Sequence, residues 1–539
     1  MIITSSALYS KPAMTDTHGQ DPLYQLIMAL ENSAGFDHPV EQFEIIETHI
    51  SCLLLTGPCV YKFKKNLDLG FLDFSTLEKR KHCCEEELRL NRRLAPELYL
   101  AVVAITGVAR SPQINGDGPV IEYAVKMVQF DRNRELDKLI ARGELTAEVI
   151  DKLAVTVASF HEHADIAGRR SRFGTLDHIL QPVTANLAEI KKRLSNDQHY
   201  SEQMSSLEKW SLKTFENLKL HFKQRKASGY VRECHGDMHL GNMVLVENEP
   251  VIFDCIEFSD ALRWIDVMSD VAFLVMDLNY QNRSDLAYRF LNTWLEHSGD
   301  YAGLRGLRFF LVYRALVRAK IACIRLGQEQ DGAEEITAYR HHIDMAASFI
   351  QPRQPVLFIT HGLSGSGKTT VSQSLLEKRG AIRIRSDLER KRLQNLPPTA
   401  KTGSAIAAGL YTAASTDQTY ARLQQQAGMI LKAGYSVIVD ATFLQTSCRR
   451  DFIRLSATCN VPFVILDCQA SKKVLADRIQ KRRQSGTDAS EADLKVLEHQ
   501  IRTRQSLDNE EQHYRVTIKT DKTLDMDSLL SAIDSKIRN

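Results

Sequence analysis

Eight residues, Gly362 to Thr369, constrain the fold of this 539-residue chain more than any other feature. They read GLSGSGKT and match the pattern G-x-x-x-x-G-K-[ST] at every restricted position. An apolar strand is predicted before them, over 356–360, and a helix after them, over 370–378. Glycine lets backbone N–H groups turn inward, and those groups hold phosphate oxygens together with the helix N-terminus. The segment therefore predicts a phosphate-binding loop between a strand and a helix.

The side chains of this loop suit a nucleoside triphosphate and its magnesium ion. We expect Lys368 to reach the β- and γ-phosphates and to act in transfer, and the Thr369 hydroxyl to bind Mg²⁺. Asp440 ends a buried strand predicted over 436–439 and is a further candidate magnesium ligand. The predicted nucleotide contacts of the loop are Gly362, Leu363, Ser364, Gly365, Ser366, Gly367, Lys368, Thr369 and Thr370.

Three charged residues downstream could act on a transferring phosphoryl group. Asp387 follows a strand predicted over 381–385, where it could accept the proton of an acceptor hydroxyl; a helix cap at Ser386 or Asp387 is the alternative. Arg478 and Arg482 are four residues apart on one helix face, ahead of a break over 485–488. We predict that Arg478 contacts the nucleotide and that Arg482 acts in transfer from a lid; a solvated basic face is the alternative.

A second set of chemistry-bearing residues lies in the first half of the chain. The segment 235–242 reads HGDMHLGN and fits H-x-D-x-x-x-x-N, and a predicted hairpin (243–246 and 251–253) leads from it to Asp254. Asp237 can orient an acceptor hydroxyl and take its proton, while Asn242 and Asp254 can hold Mg²⁺. Asp266 and Asp270 are predicted to be structural, as helix caps or partners of this loop.

Composition excludes several other classes of protein. With Lys+Arg 69 against Asp+Glu 67 the chain has a net charge of +2, which argues against non-specific coating of nucleic acid. Ten cysteines without a C-x-x-C pair argue against a structural zinc site or a disulfide framework. Apolar runs are too short for a membrane span, and no signal peptide is recognised, so we predict a cytoplasmic location and no membrane partner.

The chain is predicted to contain two domains. Two prolines in the segment 351–355 mark a linker between a domain over 21–350 and one over 356–539, and residues 1–20 are predicted to be a flexible tail. Strands are expected over 43–66 and 98–130, with a helix over 75–94 between them and mostly helices after 147. After the linker, strands and helices alternate, which is typical of a parallel sheet covered on both faces.

These motifs resemble known families. Residues 355–539 are similar to P-loop small-molecule and polynucleotide kinases (gluconate-kinase-like, zeta-toxin-like and polynucleotide-kinase-like proteins). About residues 20–345 resemble aminoglycoside phosphotransferase-like and choline-kinase-like proteins. Their order, together with the segment FKKNLDLGFLDFSTLEKRKHCCEEELRLNRRLAPELYL, resembles a bacterial two-domain family. The resemblance implies an α+β bilobal protein-kinase-like domain followed by an α/β P-loop domain with a parallel sheet.

The resemblance also implies two nucleotide-binding residues in the smaller lobe. Lys62 is the expected phosphate-binding lysine, with Lys64 as the alternative, and Glu87 is its expected helix partner, with Glu86 as the alternative. The connection between the lobes is expected near 127–130, where backbone groups would meet adenine.

The two sets of phosphoryl-transfer motifs, each in its expected strand and loop context, favour a bifunctional phosphotransferase that uses ATP and Mg²⁺. Each domain would move a γ-phosphoryl group to a hydroxyl of a small molecule. Two alternatives remain open: an NTP-binding regulatory or toxin-like switch with a kinase-like sensing domain, and a 5′-hydroxyl polynucleotide kinase activity in the second domain. The basic residues of the segment 385–392 favour the polynucleotide alternative.

Overall fold

The structure is a computed structural model, and it describes residues 21–31, 35–70, 72–193, 198–326, 333–397, 400, 413–485 and 492–538. The tail predicted over 1–20 and residues 486–488 of the predicted helix break lie outside this range. Two compact units are present. The first consists of residues up to Asn282 together with Gly306–Ile350, and the second consists of Arg283–Arg305 together with the chain from Gln351 onward.

The smaller lobe of the first unit is a six-stranded antiparallel sheet in the order β1-β2-β3-β6-β4-β5. Its elements are α1 (Pro22–Leu30), β1 (Glu44–Glu47), β2 (Ser51–Leu55), β3 (Cys59–Lys64), α2 (Leu77–Asn91), β4 (Tyr99–Val108), β5 (Ser111–Ile114) and β6 (Val120–Val128). Strand alternation separates two faces of β3. Tyr61 and Phe63 pack into an apolar core beneath α1, which leaves Lys62 and Lys64 on the opposite face.

The larger lobe of the first unit is mostly helical, as expected, and contains two short antiparallel pairs of strands. Its elements are α3 (Leu136–Ala141), α4 (Ala147–His163), α5 (Leu176–Arg193), α6 (Gln198–Ala227), β7 (Val231–Glu233), β8 (Met243–Val246), β9 (Glu249–Ile252), α7 (Asp260–Arg263), β10 (Trp264–Asp266), α8 (Val267–Tyr280), α10 (Leu304–Leu326) and α11 (Ala333–Ile350). Between α8 and α10 the chain forms α9 (Ser284–Ser298), which belongs to the second unit.

The hairpin of β8 and β9 corrects one boundary. We predicted a four-residue turn over 247–250 and a strand over 251–253, but β9 already begins at Glu249. Glu247 and Asn248 both have positive φ, at 49° and 67°. Two successive residues of this kind form a tight two-residue turn, so the second strand starts two residues earlier than composition indicated.

The second unit is built on a five-stranded, entirely parallel sheet in the order β12-β13-β11-β14-β15. Its elements are β11 (Leu357–His361), α12 (Lys368–Arg379), β12 (Ile382–Arg385), α13 (Ser386–Leu393), α14 (Ala413–Lys432), β13 (Val437–Asp440), α15 (Thr446–Cys459), β14 (Phe463–Gln469), α16 (Lys472–Ser485), α17 (Leu494–Thr503), β15 (Arg515–Lys519) and α18 (Met526–Arg538). The predicted fold class is confirmed, and β11 occupies the centre of the sheet, so the loop after it opens at the middle of the sheet edge.

Helix α9 packs within the second unit although it precedes the predicted linker. The Asn292 side chain donates to the Ala381 carbonyl at 3.0 Å and accepts from the backbone N–H of Arg383 at 2.6 Å. The Arg383 guanidinium in turn bonds to Glu296 of α9 at 2.7 Å. These contacts extend the hydrogen bonding of the edge strand β12 into a helix, which protects an otherwise open sheet edge. Within the described ranges, no helix is both long and apolar enough to cross a bilayer.

The stability of the second unit is predicted to depend on Arg449 of α15. Its guanidinium is fully buried and bonds to Glu511 at 2.6 and 2.9 Å, and to the carbonyls of Phe443 and Ser506. Arg449→Met would leave the Glu511 carboxylate buried without its cation, and we expect a loss of about 3–5 kcal/mol in the free energy of unfolding. Urea denaturation of the full chain, followed by circular dichroism, measures this loss.

Arg450→Met is the matched control for that experiment. Arg450 pairs with Asp508 at 3.3 Å, and its side chain is 58% exposed. Ion pairs of this kind contribute little, so the unfolding midpoint should stay close to that of the parent chain. An equal midpoint for both variants would contradict the structural role given to Arg449.

Candidate active sites

The first site is built on the loop that follows β7. Asp270 of α8 accepts hydrogen bonds from the backbone N–H groups of His235 (3.1 Å) and Gly236 (3.0 Å), and His235 Nε2 bonds to the carbonyl of Phe253 at 2.9 Å. Gly236 has φ +86°, and a Cβ there would lie 2.8 Å from the Leu262 carbonyl. The loop is therefore clamped from two sides, and the predicted structural role of Asp270 agrees with its position.

The clamped loop presents a carboxylate with one unpaired oxygen. The Asn242 amide nitrogen donates to the Asp237 carbonyl at 3.0 Å and to Asp237 Oδ2 at 3.1 Å. Asp237 Oδ1 is buried and has no hydrogen-bond partner among the described residues. A buried acceptor of this kind is costly unless a ligand completes it, so Asp237 is prepared to accept a proton or a hydrogen bond from a bound molecule.

Asp254 faces this loop from the end of β9 and has a strained backbone. Its φ of +63° is rare for a residue other than glycine, and its backbone N–H donates to the Tyr99 hydroxyl at 3.2 Å. Lys62 Nζ bonds to Asp254 Oδ1 at 2.5 Å and to Glu87 Oε1 at 2.7 Å. Strain of this kind is typical of functional positions, where the surrounding structure holds one side chain in place.

A second lysine completes a buried cluster of five charges. Lys64 is fully buried and bonds to Glu87 and to Glu257. Lys62, in contrast, lines the pocket that also contains Asp237 and Asp254, so the geometry distinguishes the two lysines that the sequence left as alternatives. Glu86 bonds instead to Arg89 and Arg263. The pairing of Lys64 with Glu257 was missed, although Lys64 shares a strand face with Lys62 and Glu257 follows Asp254 by three residues.

Electrostatics within the cluster favour charged lysines. Burial alone would lower the pKa of the Lys62 ammonium, but Asp254 and Glu87 outweigh burial and hold this pKa well above its ordinary value. Burial would raise the pKa of Glu87, but the two lysines outweigh it and lower that pKa to about 2. Burial dominates at Glu257, where it raises the pKa of the carboxyl despite the neighbouring Lys64.

The pocket beside this cluster has the walls expected for a nucleotide base. Apolar groups from β3, β4 and the end of β6 line this pocket. The lining includes Val60, Tyr99, Met127, Val128, Gln129 and Phe130. The predicted connection over 127–130 therefore lines the same pocket as Lys62, Asp237 and Asp254. Asn242, which bonds to Asp237, completes the set that could hold a cation between phosphates and protein.

The second site is the loop between β11 and α12. Gly362 and Gly365 have φ of +143° and +81°, and a Cβ on them would lie 2.5 Å from the Cys468 carbonyl and 2.8 Å from the Leu475 carbonyl. Lys368 Nζ donates to the carbonyls of Gly362 (3.1 Å) and Leu363 (2.9 Å). Burial lowers the pKa of the Lys368 ammonium, and the nearby carboxylate of Asp440 opposes this effect only in part.

The predicted magnesium ligands of this unit lie together. Thr369 Oγ1 donates to Asp440 Oδ2 at 2.8 Å, and the Ser372 hydroxyl is 3.4 Å from the same oxygen. A hydroxyl and a carboxylate at this separation match the oxygen ligands that Mg²⁺ prefers, so the residues fit the ion.

Asp387 lies in the first turn of α13 and faces the cavity of this loop. That cavity has a volume of about 840 Å³ and is also lined by Lys368, Thr369 and Asp440. Helix α13 begins at Ser386, so Asp387 is an acidic residue of its first turn, which is compatible with both the helix-start alternative and a role in the cavity. The Arg390 guanidinium is 3.6 Å from Asp387 and lines the same cavity, which places cationic and acidic groups side by side.

Both predicted lid arginines face the cavity. Arg478 Nη1 bonds to the Gly365 carbonyl at 3.3 Å, and Arg482 Nη2 bonds to the Ala492 carbonyl at 2.9 Å. Gln500 of α17 was not predicted to be a site residue. Its Oε1 accepts a hydrogen bond from the backbone N–H of Ser364 at 2.8 Å. No motif marks this glutamine, since its position follows only from the packing of α17 over the loop.

The remaining loop residues have different surroundings. Leu363 packs against Leu475 and Ile479, which anchors the loop to α16. The Ser366 carbonyl accepts from the Thr520 hydroxyl at 3.0 Å, and Gly367 is the cap residue of α12 with φ +79°. Thr370 lines the cavity and is exposed.

Gly362→Ala is predicted to remove one nucleotide site. The new Cβ would clash with the Cys468 carbonyl at 2.5 Å and would require an unfavourable φ, so the loop has to move. With a fluorescent ATP analogue and Mg²⁺, we expect the parent chain to bind two equivalents and the variant to bind one. Fluorescence titration of the full chain measures this stoichiometry.

Gly428→Ala is the control for this titration. Gly428 lies inside α14, where a Cβ would meet Leu455 Cδ1 at an ordinary 3.5 Å, so this variant should keep both equivalents. Two equivalents bound to Gly362→Ala would show that the loop does not hold the nucleotide.

Two family models match the chain, one before and one after the predicted linker. The phosphotransferase enzyme family matches residues 75–309, and the AAA domain family matches residues 357–507. Among solved structures, choline kinase from Cryptosporidium parvum is 14% identical and aligns with 60% of this chain and 95% of its own, at a TM-score of 0.39. A gluconokinase from Sinorhizobium meliloti is 20% identical and aligns with 34% of this chain and 91% of its own, at a TM-score of 0.23.

Relatives that span both units are found in mycobacteria. The proteins named "Uncharacterized protein Rv2004c" of Mycobacterium tuberculosis and "Uncharacterized protein Mb2027c" of Mycobacterium bovis are each 30% identical to this chain over 462 residues, covering 84% of it and 89% of the relative. The family matches identify an ATP-dependent kinase in which a phosphotransferase-family unit precedes a P-loop unit. The chain belongs to the same family as these two mycobacterial proteins.

Proposed function

We propose that the chain is a bifunctional phosphotransferase, in which each unit moves a γ-phosphoryl group from ATP to a hydroxyl of a small molecule. One observation carries this proposal. In each unit, a carboxylate that could take the acceptor proton lines the same cavity as the groups suited to phosphates and Mg²⁺: Asp237 beside Lys62 and Asp254, and Asp387 beside Lys368 and Thr369.

In the first unit, Asp237 is the proposed catalytic base. Its unpaired Oδ1 would accept the hydrogen bond of the acceptor hydroxyl and then its proton, while Asn242 keeps the carboxylate oriented through Oδ2. Asn242 and Asp254 are the proposed holders of Mg²⁺, and Lys62, fixed by Glu87, would contact phosphate oxygens. Magnesium-bound ATP supplies the phosphoryl group, with its charge partly neutralised.

In the second unit, Asp387 is the corresponding base. Its first-turn position on α13 directs it into the cavity, and Arg390 lies close enough to hold an anionic group of the acceptor. Lys368 and Arg482 are the proposed contacts for the transferring phosphoryl group, Arg478 for the nucleotide, and Thr369 with Asp440 for Mg²⁺. All five line one cavity.

Asp237→Asn and Asp387→Asn test the two sites separately. Asparagine keeps the shape of the side chain but cannot take a proton, so each variant should lose roughly 10²- to 10⁴-fold in the turnover of its own site. The assay measures ADP release from ATP and Mg²⁺ with a panel of sugars, sugar acids, amino alcohols and nucleosides as acceptors. The two variants should affect different acceptors.

Asp177→Asn and Asp477→Asn are matched controls, because both residues are exposed on helices of the first and second unit. Both should keep the parent activity. If Asp237→Asn leaves every turnover unchanged while nucleotide still binds, the first unit is a sensing module and the bifunctional proposal is wrong.

A polynucleotide 5′-hydroxyl is the second candidate acceptor for the P-loop unit. Arg385 and Arg390 line the cavity beside Asp387, and guanidinium groups bind phosphates in bidentate fashion. A labelled 5′-hydroxyl oligonucleotide incubated with ATP and Mg²⁺ should then gain a phosphate that depends on Asp387. Absence of this product, with activity on small acceptors retained, would exclude the candidate.

A further inference from the structure

A separate cavity lies between α5 and α10 in the first unit. Its volume is about 490 Å³. Among the described residues, none that lines it also lines the pocket of Asp237 and Asp254. Residues of α5 and α10 form nearly all of the wall, and Leu262 of α7 completes the lining. The cavity is therefore a candidate ligand site apart from the two sites already described.

One wall of this cavity carries an incomplete polar pair. Asn186 is only 3% exposed, and its Oδ1 accepts a hydrogen bond from Lys320 Nζ at 2.6 Å. Its Nδ2 is buried and has no hydrogen-bond partner among the described residues. Because a buried amide donor is costly when unpaired, a ligand acceptor that bonds to Asn186 Nδ2 and to Lys320 would complete this pair.

The charges of the cavity favour a negative acceptor. Arg193 and Glu189 neutralise each other through an ion pair of 2.8 Å, which leaves Lys320 as the excess charge of the lining. Burial lowers the pKa of the Lys320 ammonium, and the nearby Glu189 opposes this effect only in part. An anion beside Lys320 would restore the charged form and also accept from Asn186.

The rest of the cavity wall is apolar, which indicates that the anion carries a hydrocarbon group. Pro182, Val317 and Ile324 form this part of the wall, and Tyr313 and Leu262 continue it. We propose that the cavity binds an amphiphilic organic anion, with its oxyanion group held by Asn186 and Lys320 and its apolar body packed between α5 and α10. A carboxylate and a phosphate monoester offer the same oxygen chemistry here.

Helix α10 lines this cavity and also supports the loop of the first site. Arg314 of α10 donates to the Gly236 carbonyl at 2.9 Å and to the Ser269 carbonyl at 3.1 Å. Tyr313, next to it in sequence, lines the cavity. A ligand in the cavity would thus contact the helix that supports the loop of Asp237. The binding proposal itself does not depend on the proposed phosphotransferase activity.

Calorimetric titration of the full chain tests the proposal. The Gly362→Ala variant serves as the host, because its loop is expected to lose the phosphate-binding geometry and with it a competing anion site. The probes are hexanoate, hexyl phosphate, inorganic phosphate and the neutral hexanol. We expect one equivalent of hexanoate or of hexyl phosphate to bind, and the stronger of the two identifies the oxyanion. Hexanol should not bind. Binding of inorganic phosphate alone, or of neither organic anion, would overturn the proposal.

Substitutions locate the site within the molecule. In the same host, Lys320→Met and Asn186→Leu should each weaken anion binding roughly tenfold or more, as loss of a charged hydrogen bond predicts. Lys320→Arg is the second variant, because it keeps the positive charge and should retain anion binding. It keeps the proposal testable where Lys320→Met does not fold. Lys213→Met, at an exposed position of α6, should bind like the host. Anion affinity unchanged in folded Lys320→Met would contradict the assignment.

Discussion

Compensation of buried charge is the constraint on which the first site depends. Lys62 and Lys64 meet Glu87, Asp254 and Glu257 within one cluster that joins β3, α2 and the segment after β9. Two cations against three carboxylates leave one negative charge in excess. Such a cluster is costly in an apolar interior unless its members are mutually bonded, and an additional cation near Asp254 would balance it. The excess negative charge beside Asp254 therefore fits the metal ion proposed for this site.

The proposed phosphate site of the second unit depends mainly on backbone groups of its loop. Its glycines bring the loop so close to the carbonyls of Cys468 and Leu475 that side chains are excluded there, and backbone N–H groups of such loops hold phosphate oxygens. Lys368 rests on carbonyls of its own loop, and the Ser364 N–H is held by Gln500. These contacts fix Lys368 and the Ser364 backbone within the unit. The two proposed phosphate sites thus differ in kind, since charged side chains dominate the first and a glycine-containing loop dominates the second.

Local spacing explains which predictions succeeded. The loop 362–369 and the segment 235–242 were recognised because their residues are close in sequence and their geometry is set by glycine and by short-range hydrogen bonds. The three strands predicted over 356–360, 381–385 and 436–439 agree with β11, β12 and β13 to within one residue at each end, since buried parallel strands are apolar throughout. The hairpin at Glu247 and Asn248 failed for a local reason as well: two residues without glycine adopted positive φ. The roles of the individual site residues stay predictions until the variants are measured.

By itself, the sequence indicated the two folds, through its motifs and their family resemblance, and it singled out the two loops and the candidate bases Asp237 and Asp387, because each motif consists of residues close together in the chain. Only the tertiary structure decided which lysine faces the pocket, that Lys64 pairs with Glu257, and that α9 packs on the second unit's sheet. It also brought together Asn186 and Lys320, which are 134 residues apart. The physical reason is common to all of these: burial and charge pairing act between elements that are distant in sequence, and no local pattern records which partner a buried charge will meet.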